Sequence, residues 1–410
     1  MFLNPAFNAS KTLYRSVCRS SRRFSTYTAT DTSLRVQSLD RSFSYVWLRD
    51  SCQSSPTCIH PTTLQKVHKT SDIPVDIKPI EHGINFQEDG VKIKWTDGHE
   101  SFFQAAFLKR HSSKSGLFNF HKDVASVPWD TASLSSSNLH TRYSSLQEPA
   151  SLAAAVQQLL RYGMLIIEGV PNSETDDKTC ELRKLSAYFG HIRPTFYGET
   201  WDVRNVRNSR NVAYTNLDLG LHQDLLYFEH PPRYQILHAL RNRVEGGLSR
   251  FVDATFVGYA LQKTHPNDFD VLTSTPVAFH YINDGHHLHF EHPTLEIHNG
   301  EIQYINYSPP FQAPLPVDTP AEFYPAFKRF TQMLNDESVT WETLLKEGDA
   351  VIFDNRRILH ARTEFRDIET TGEKGDALEG ETTRWLKGCY LEADAVMDRY
   401  RVLTTQLEKA

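Results

Sequence analysis

A chain of 410 residues, 39% apolar and 23% charged, has the composition of an ordinary globular protein with one large domain or two smaller ones. Its net charge of −6 gives no reason to expect nucleic-acid binding, and no apolar run approaches the roughly 18 residues of a membrane-spanning helix. Five cysteines do not make a disulfide framework.

In chain order, residues 1–24 carry Lys11, Arg15, Arg19, Arg22 and Arg23, with no acidic residue before Asp31. Ser is plentiful, and Leu13, Val17 and Phe24 are apolar. That is the composition of a mitochondrial transit peptide, with Arg22-Arg23-Phe24-Ser25 as a processing point and the matrix as destination. A plain basic tail is the alternative. Residues 31–122 read as a small β domain of short strands, with 43–48 and 91–95 β-rich and Asp97-Gly98 at a turn. Ser, Thr and Asn crowd 125–143, so 123–150 reads as a linker.

A helix is expected over 151–162, ended by Gly163, then a buried strand at 164–167 and an amphipathic helix over 177–189 stopped by Gly190. Strands follow at 212–215, 234–239, 275–280 and 302–306. A helix over 321–334 presents Phe323, Phe327, Phe330 and Leu334 as one stripe, which reads as core packing. Strands at 350–354, 357–361 and 385–391 precede a C-terminal helix around 393–403. Many strands with a few flanking helices predict a mainly β domain over 151–410, a double-stranded β-helix or jelly roll.

Within this domain His222-Gln223-Asp224 places an imidazole and a carboxylate on one face of a strand, where both can grip one metal ion. The pattern alone is weak. His121-Lys122-Asp123 and His289-Phe290-Glu291 have the same form, and 19 histidines make chance hits expected. A non-haem iron site needs a second His from a distant strand, and His360 is the natural candidate. Arg384 begins a later strand. Its planar fork suits the far carboxylate of a dicarboxylate cosubstrate whose other end chelates the metal.

Further stretches accompany these residues: Phe196-Tyr197-Gly198-Glu199-Thr200-Trp201-Asp202-Val203, Asn211-Val212-Ala213-Tyr214-Thr215, Gly246-Gly247 and Trp47-Leu48-Arg49-Asp50-Ser51-Cys52. With the segments around His360 and Arg384, they make nearly the whole chain after residue 30 resemble the γ-butyrobetaine dioxygenase and trimethyllysine dioxygenase family. The resemblance implies Fe(II) on His222, Asp224 and His360, with 2-oxoglutarate held by Arg384 and Leu237. It also implies O2 as reactant, ascorbate as reductant and a homodimer. Tyr197, Trp201, Tyr214 and Tyr390 fall where the family cages a trimethylammonium group, at ~0.5–2 kcal/mol for each aromatic face.

Asn211 suits a substrate with only a carboxylate at its far end. The implied reaction is therefore hydroxylation of γ-butyrobetaine to L-carnitine. Trimethyllysine or a related betaine is the alternative, and a non-catalytic binding protein on the same scaffold is the competing class. The family's N-terminal domain holds zinc with three Cys and one His. Cys52, Cys58 and His99 match three of these positions, the middle Cys is missing, and His60 is a substitute. The cluster His280, His286, His287, His289, His292 and His298 reads as an irregular loop closing over the pocket, not as a metal site.

Overall fold

The computed structural model describes residues 27–135, 137–204, 217–367 and 383–410. The basic segment 1–24, the predicted strand 212–215, and Asn211 and Tyr214 lie outside the described residues. The chain divides into two compact units, 1–121 and 122–410. Among the described residues no helix is long and apolar enough to cross a membrane.

The first unit holds two three-stranded antiparallel sheets, one from Tyr27–Ala29, Ser33–Val36 and Arg41–Ser44, the other from Pro79–Phe86, Gly90–Trp95 and Glu100–Gln104. Leu34, Val36, Phe43, Leu48, Ile93 and Trp95 build its core. The stretch expected as β-rich at 43–48 divides. Phe43 and Ser44 end a strand, while Tyr45–Asp50 is a helix, because the Ser44 side chain accepts from the Trp47 N–H and caps it.

Among the described residues, the two large sheets of the second unit contain ten strands: β1 His140–Arg142, β2 Met164–Glu168, β3 Trp201–Arg204, β4 Leu219–His222, β5 Tyr234–Asn242, β6 Ser249–Asp253, β7 Thr340–Thr343, β8 Ala350–Asp354, β9 Ile358–Arg362 and β10 Arg384–Leu391. Six form a major sheet in the order β1-β2-β8-β5-β10-β3, and four a minor sheet in the order β4-β9-β6-β7. Neighbours are antiparallel except β1 and β2. This is the mainly β, double-sheet architecture the sequence predicts. Alternation along β5 assigns its two faces. Ile236 packs outward under helices α1 Pro149–Tyr162, α2 Glu181–Phe189 and α3 Ala393–Leu407, while Gln235 and Leu237 point between the sheets.

Residues 123–150 are not a linker. Their polar composition hides Trp129, which is fully buried, with its backbone N–H donating to Asp253 and its indole N–H to the Tyr162 carbonyl. The same segment supplies β1. Asp253 also pairs with Arg357 at 2.6 Å, both side chains buried, so one ion pair ties this segment to β6 and to the start of β9. The histidine cluster is likewise not an irregular loop. Pro276–Asn283 pairs with His286–Pro293 as a hairpin, and Leu295–His298 with Glu301–Ile305 as a second. Histidine content obscured an alternation in which Val277, Phe279, Tyr281 and His292 face the core.

Candidate active site

His222 ends β4 directly opposite His360 on β9, with their rings 4.2 Å apart. The chain leaves the strand at once. Leu225 is left-handed at φ +64°, a conformation that costs a bulky residue about 1–3 kcal/mol. Two neighbours hold the turn. Gln223 exchanges hydrogen bonds with Tyr307, at 2.9 and 3.0 Å. The fully buried Asn355 side chain accepts from the Asp224 N–H at 2.9 Å and donates to the Asp224 carbonyl at 3.0 Å.

These constraints bring Asp224 between the two imidazoles. The His222 Nδ1–H donates to the Gly220 carbonyl at 2.8 Å, which leaves Nε2 free as a ligand atom, 3.5 Å from Asp224 Oδ1. His360 Nε2 lies 3.9 Å from the same oxygen. One donor atom from each of the three residues falls within 4.8 Å of the others. The other carboxylate oxygen, Oδ2, accepts from the Tyr390 hydroxyl at 2.8 Å. Burial alone would raise the Asp224 carboxyl, but the His222 contact, the charges of both histidines and the Tyr390 bond hold it well below the usual range. Burial, then the neighbouring His222, push His360 down to about 3. Two imidazole nitrogens and one carboxylate on one side of a point are the donor set of a non-haem iron site.

A cavity of about 80 Å³ opens beside this cluster, between the two sheets. Trp201, Leu237 and Arg384 line it from the major sheet, His222, Ser249 and His360 from the minor one. Arg384 is buried, its Nε has no hydrogen-bond partner, and its guanidinium lies 5.2 Å from the Phe365 ring. Burial, then the nearby Arg362, lower it to about 9, still cationic at neutral pH. A buried cation with an unused donor facing a cavity fits a carboxylate.

Aromatic side chains wall the other side of Asp224. Trp201 packs at a tilt on Tyr390, with ring centroids 5.3 Å apart, and lies across Gly388, where a Cβ would meet the indole at 2.3 Å. The Tyr197 hydroxyl is 3.5 Å from that of Tyr227, and Tyr227 packs on Tyr281 at 5.3 Å. Burial, then Tyr227 and Tyr281, and also the Asp224 charge, raise the Tyr197 phenol well above its usual value.

Of the residues read from sequence, the structure thus brings together His222, Asp224, His360, Arg384, Leu237, Trp201, Tyr197 and Tyr390. Neither His121 with Asp123 nor His289 with Glu291 belongs to such a cluster among the described residues. Asn355, Tyr227, Tyr281 and Arg362 were missed. Arg362 had a signal, since it stands two residues from His360 on one strand and so on the same face.

A second cluster lies in the first unit. Cys52 Sγ and Cys58 Sγ are 3.2 and 3.3 Å from His99 Nε2, and both cysteines are buried. His60 does not join it, because its Nδ1 accepts from the Thr62 and Thr63 N–H groups in its own turn.

The chain matches the family described as Taurine catabolism dioxygenase TauD, TfdA family over residues 132–390. It matches Gamma-butyrobetaine hydroxylase-like, N-terminal over residues 26–109. It is 50% identical to Dioxygenase str8 of Strobilurus tenacellus, over 93% of this chain and 90% of that one. Gamma-butyrobetaine dioxygenase of Homo sapiens is 30% identical over 88% and 91%. The mitochondrial trimethyllysine dioxygenase of Rattus norvegicus is 29% identical over 90% and 85%.

Proposed function

The chain belongs to the TauD, TfdA dioxygenase family and is an Fe(II)/2-oxoglutarate-type dioxygenase; from that premise we propose that it hydroxylates a trimethylammonium substrate, γ-butyrobetaine first, to give L-carnitine. The observation that supports this most is the convergence of His222, Asp224 and His360 beside a buried Arg384 and a wall of aromatic rings. His222, Asp224 and His360 would hold the iron, and Arg384, with Leu237 alongside, the far carboxylate of the cosubstrate. Bound there, Fe(II) and 2-oxoglutarate would activate O2, one oxygen atom ending in succinate as CO2 leaves and the other in the hydroxyl on an unactivated carbon.

The protein's own contribution is position and exclusion of water. Asn355 and Tyr390 fix the carboxylate ligand, and the Gly220 carbonyl fixes the His222 tautomer. Trp201, Tyr197 and Tyr390 offer ring faces to a cation that has no N–H to donate. Trimethyllysine is the second reading, favoured by the near-equal identities of 30% and 29% to relatives bearing the two names.

Mass spectrometry of each substrate after incubation with enzyme, Fe(II), ascorbate and 2-oxoglutarate separates them. Gain of one oxygen by γ-butyrobetaine is expected. Succinate release without oxygen gain by either substrate would overturn the substrate assignment and leave the reaction class standing. His222→Ala is expected to abolish succinate release, whereas His121→Ala leaves it near wild type.

Zinc at Cys52, Cys58 and His99 is also proposed. The three donors fit zinc, and the Ser54 Oγ lies 3.2 Å from Cys52 Sγ. Metal analysis after dialysis against a chelator tests it, with one zinc per wild-type chain expected and none in Cys58→Ser. Import of the N-terminal segment into mitochondria, proposed from its basic, acid-free composition, is tested by fusing residues 1–30 to a reporter.

A further inference from the structure

The cavity beside the iron-binding residues contains a second cation. Arg362 ends β9, two residues from His360, and pairs in register with Ser249, which lines the same cavity. It is buried, and its guanidinium sits 4.9 Å from the Phe365 ring, while that of Arg384 sits 5.2 Å from the same ring. Two positive forks on different strands therefore converge on one small space. The Arg362 Nη2 donates to the Leu217 carbonyl at 2.6 Å, which fixes the plane of its fork.

Among the described residues lining that space, Asp224 is the one acid, and its oxygens face the two histidines and Tyr390. Asp218 offsets part of the Arg362 charge, yet Arg362 still acts on Arg384, and an anion seated between the two forks would relieve that repulsion. A carboxylate has two oxygens and about four acceptor sites, enough for both forks at once.

We propose that Arg362 is a second anchor for the distal carboxylate of the cosubstrate, gripping it together with Arg384 across Phe365. The assignment rests on the Fe(II)/2-oxoglutarate reading of the site. It makes the cavity selective for a 2-oxo acid with a second carboxylate, because a monocarboxylate would leave the two buried guanidiniums of one cavity without that anion. Since β9 carries both His360 and Arg362, the metal ligand and the anchor are set at a fixed separation by one strand.

The test is anaerobic titration of the Fe(II)-loaded full chain with 2-oxoglutarate and with 2-oxopentanoate, which has the same chelating head and no distal carboxylate. The absorption band that forms on chelation is read, and no substrate is present, so any loss belongs to the cosubstrate. Wild type is expected to bind 2-oxoglutarate much more tightly. Arg362→Gln is expected to weaken 2-oxoglutarate by about tenfold or more, as for loss of a charge-assisted hydrogen bond, with 2-oxopentanoate unchanged. Equal weakening of both acids, or of neither, would overturn the proposal. Should the glutamine variant not fold, Arg362→Lys gives the same comparison: selective loss of the dicarboxylate supports the anchor, and parity overturns it. If wild type itself does not prefer 2-oxoglutarate, the cosubstrate reading fails instead.

Discussion

Asp224, the proposed carboxylate ligand, illustrates how little of a metal site is the ligand itself. Its position depends on a left-handed Leu225 that the chain would not adopt unaided, and Asn355 opposes that strain with two hydrogen bonds to the Asp224 backbone. Each bond contributes about 0.5–1.5 kcal/mol, comparable to the conformational cost. Asn355→Ala should therefore release the turn while leaving all three ligand side chains in place. The expected result is iron binding weakened about 10- to 100-fold, the usual range for losing an outer partner of a ligand, measured by competition with a chelator. Unchanged affinity would show that Gln223 and Tyr307 suffice. Sequence reading found the two histidines and the aspartate through residue type and order. It did not find Asn355, whose role appears only once residues 224 and 355 are adjacent in space.

At the scale of elements, the pocket wall depends on how β3 meets β10. Lys387 is almost fully buried and bonds to Asp202 at 2.8 Å and to Asp177 at 2.5 Å, so it pins Trp201's neighbour to the strand beneath. Next to it, Gly388 leaves room for the indole to lie flat. Gly388→Ala would place a methyl at 2.3 Å from that ring and force it away. Binding of a trimethylammonium ligand is then expected to weaken roughly 2- to 30-fold, the ~0.5–2 kcal/mol of one cation–π contact, with 2-oxoglutarate affinity preserved. Calorimetric titration of both ligands checks this, and parallel losses would refute it. Helical periodicity made α1 legible, and continuous apolar runs made β2 and β8 so, both being buried on their two faces. Such patterning failed at 43–48, where one capping serine outweighed β propensity, and at 123–150, where a single buried tryptophan outweighed a polar composition.

For the whole molecule, acid is the expected weakness. His238 and His292 are buried, and burial is the main cause lowering each from 6.5 to about 4. The folded chain thus binds fewer protons than the unfolded chain between those values. Stability is full above pH 6.5 and falls as pH drops toward 4, by up to roughly 3 kcal/mol for each residue. In His238→Leu the urea midpoint should decline less steeply across that interval; an unchanged slope would exclude His238 as a source. Neither histidine stands out in the sequence, where 19 look alike, because burial is a property of the assembled sheets.

Tyr390 belongs to two compartments at once. Its ring is part of the surface a cation would touch, and its hydroxyl donates to an oxygen of Asp224, the proposed metal ligand. Electron density at the metal should therefore register whether the aromatic wall is occupied, before any chemistry occurs. With Co(II) as a coloured substitute, adding a trimethylammonium ligand should shift the metal's absorption in wild type and leave it still in Tyr390→Phe. The same shift in both would place the signal elsewhere. A working link of this kind would let the enzyme hold its oxidising power in reserve until something is there to be oxidised.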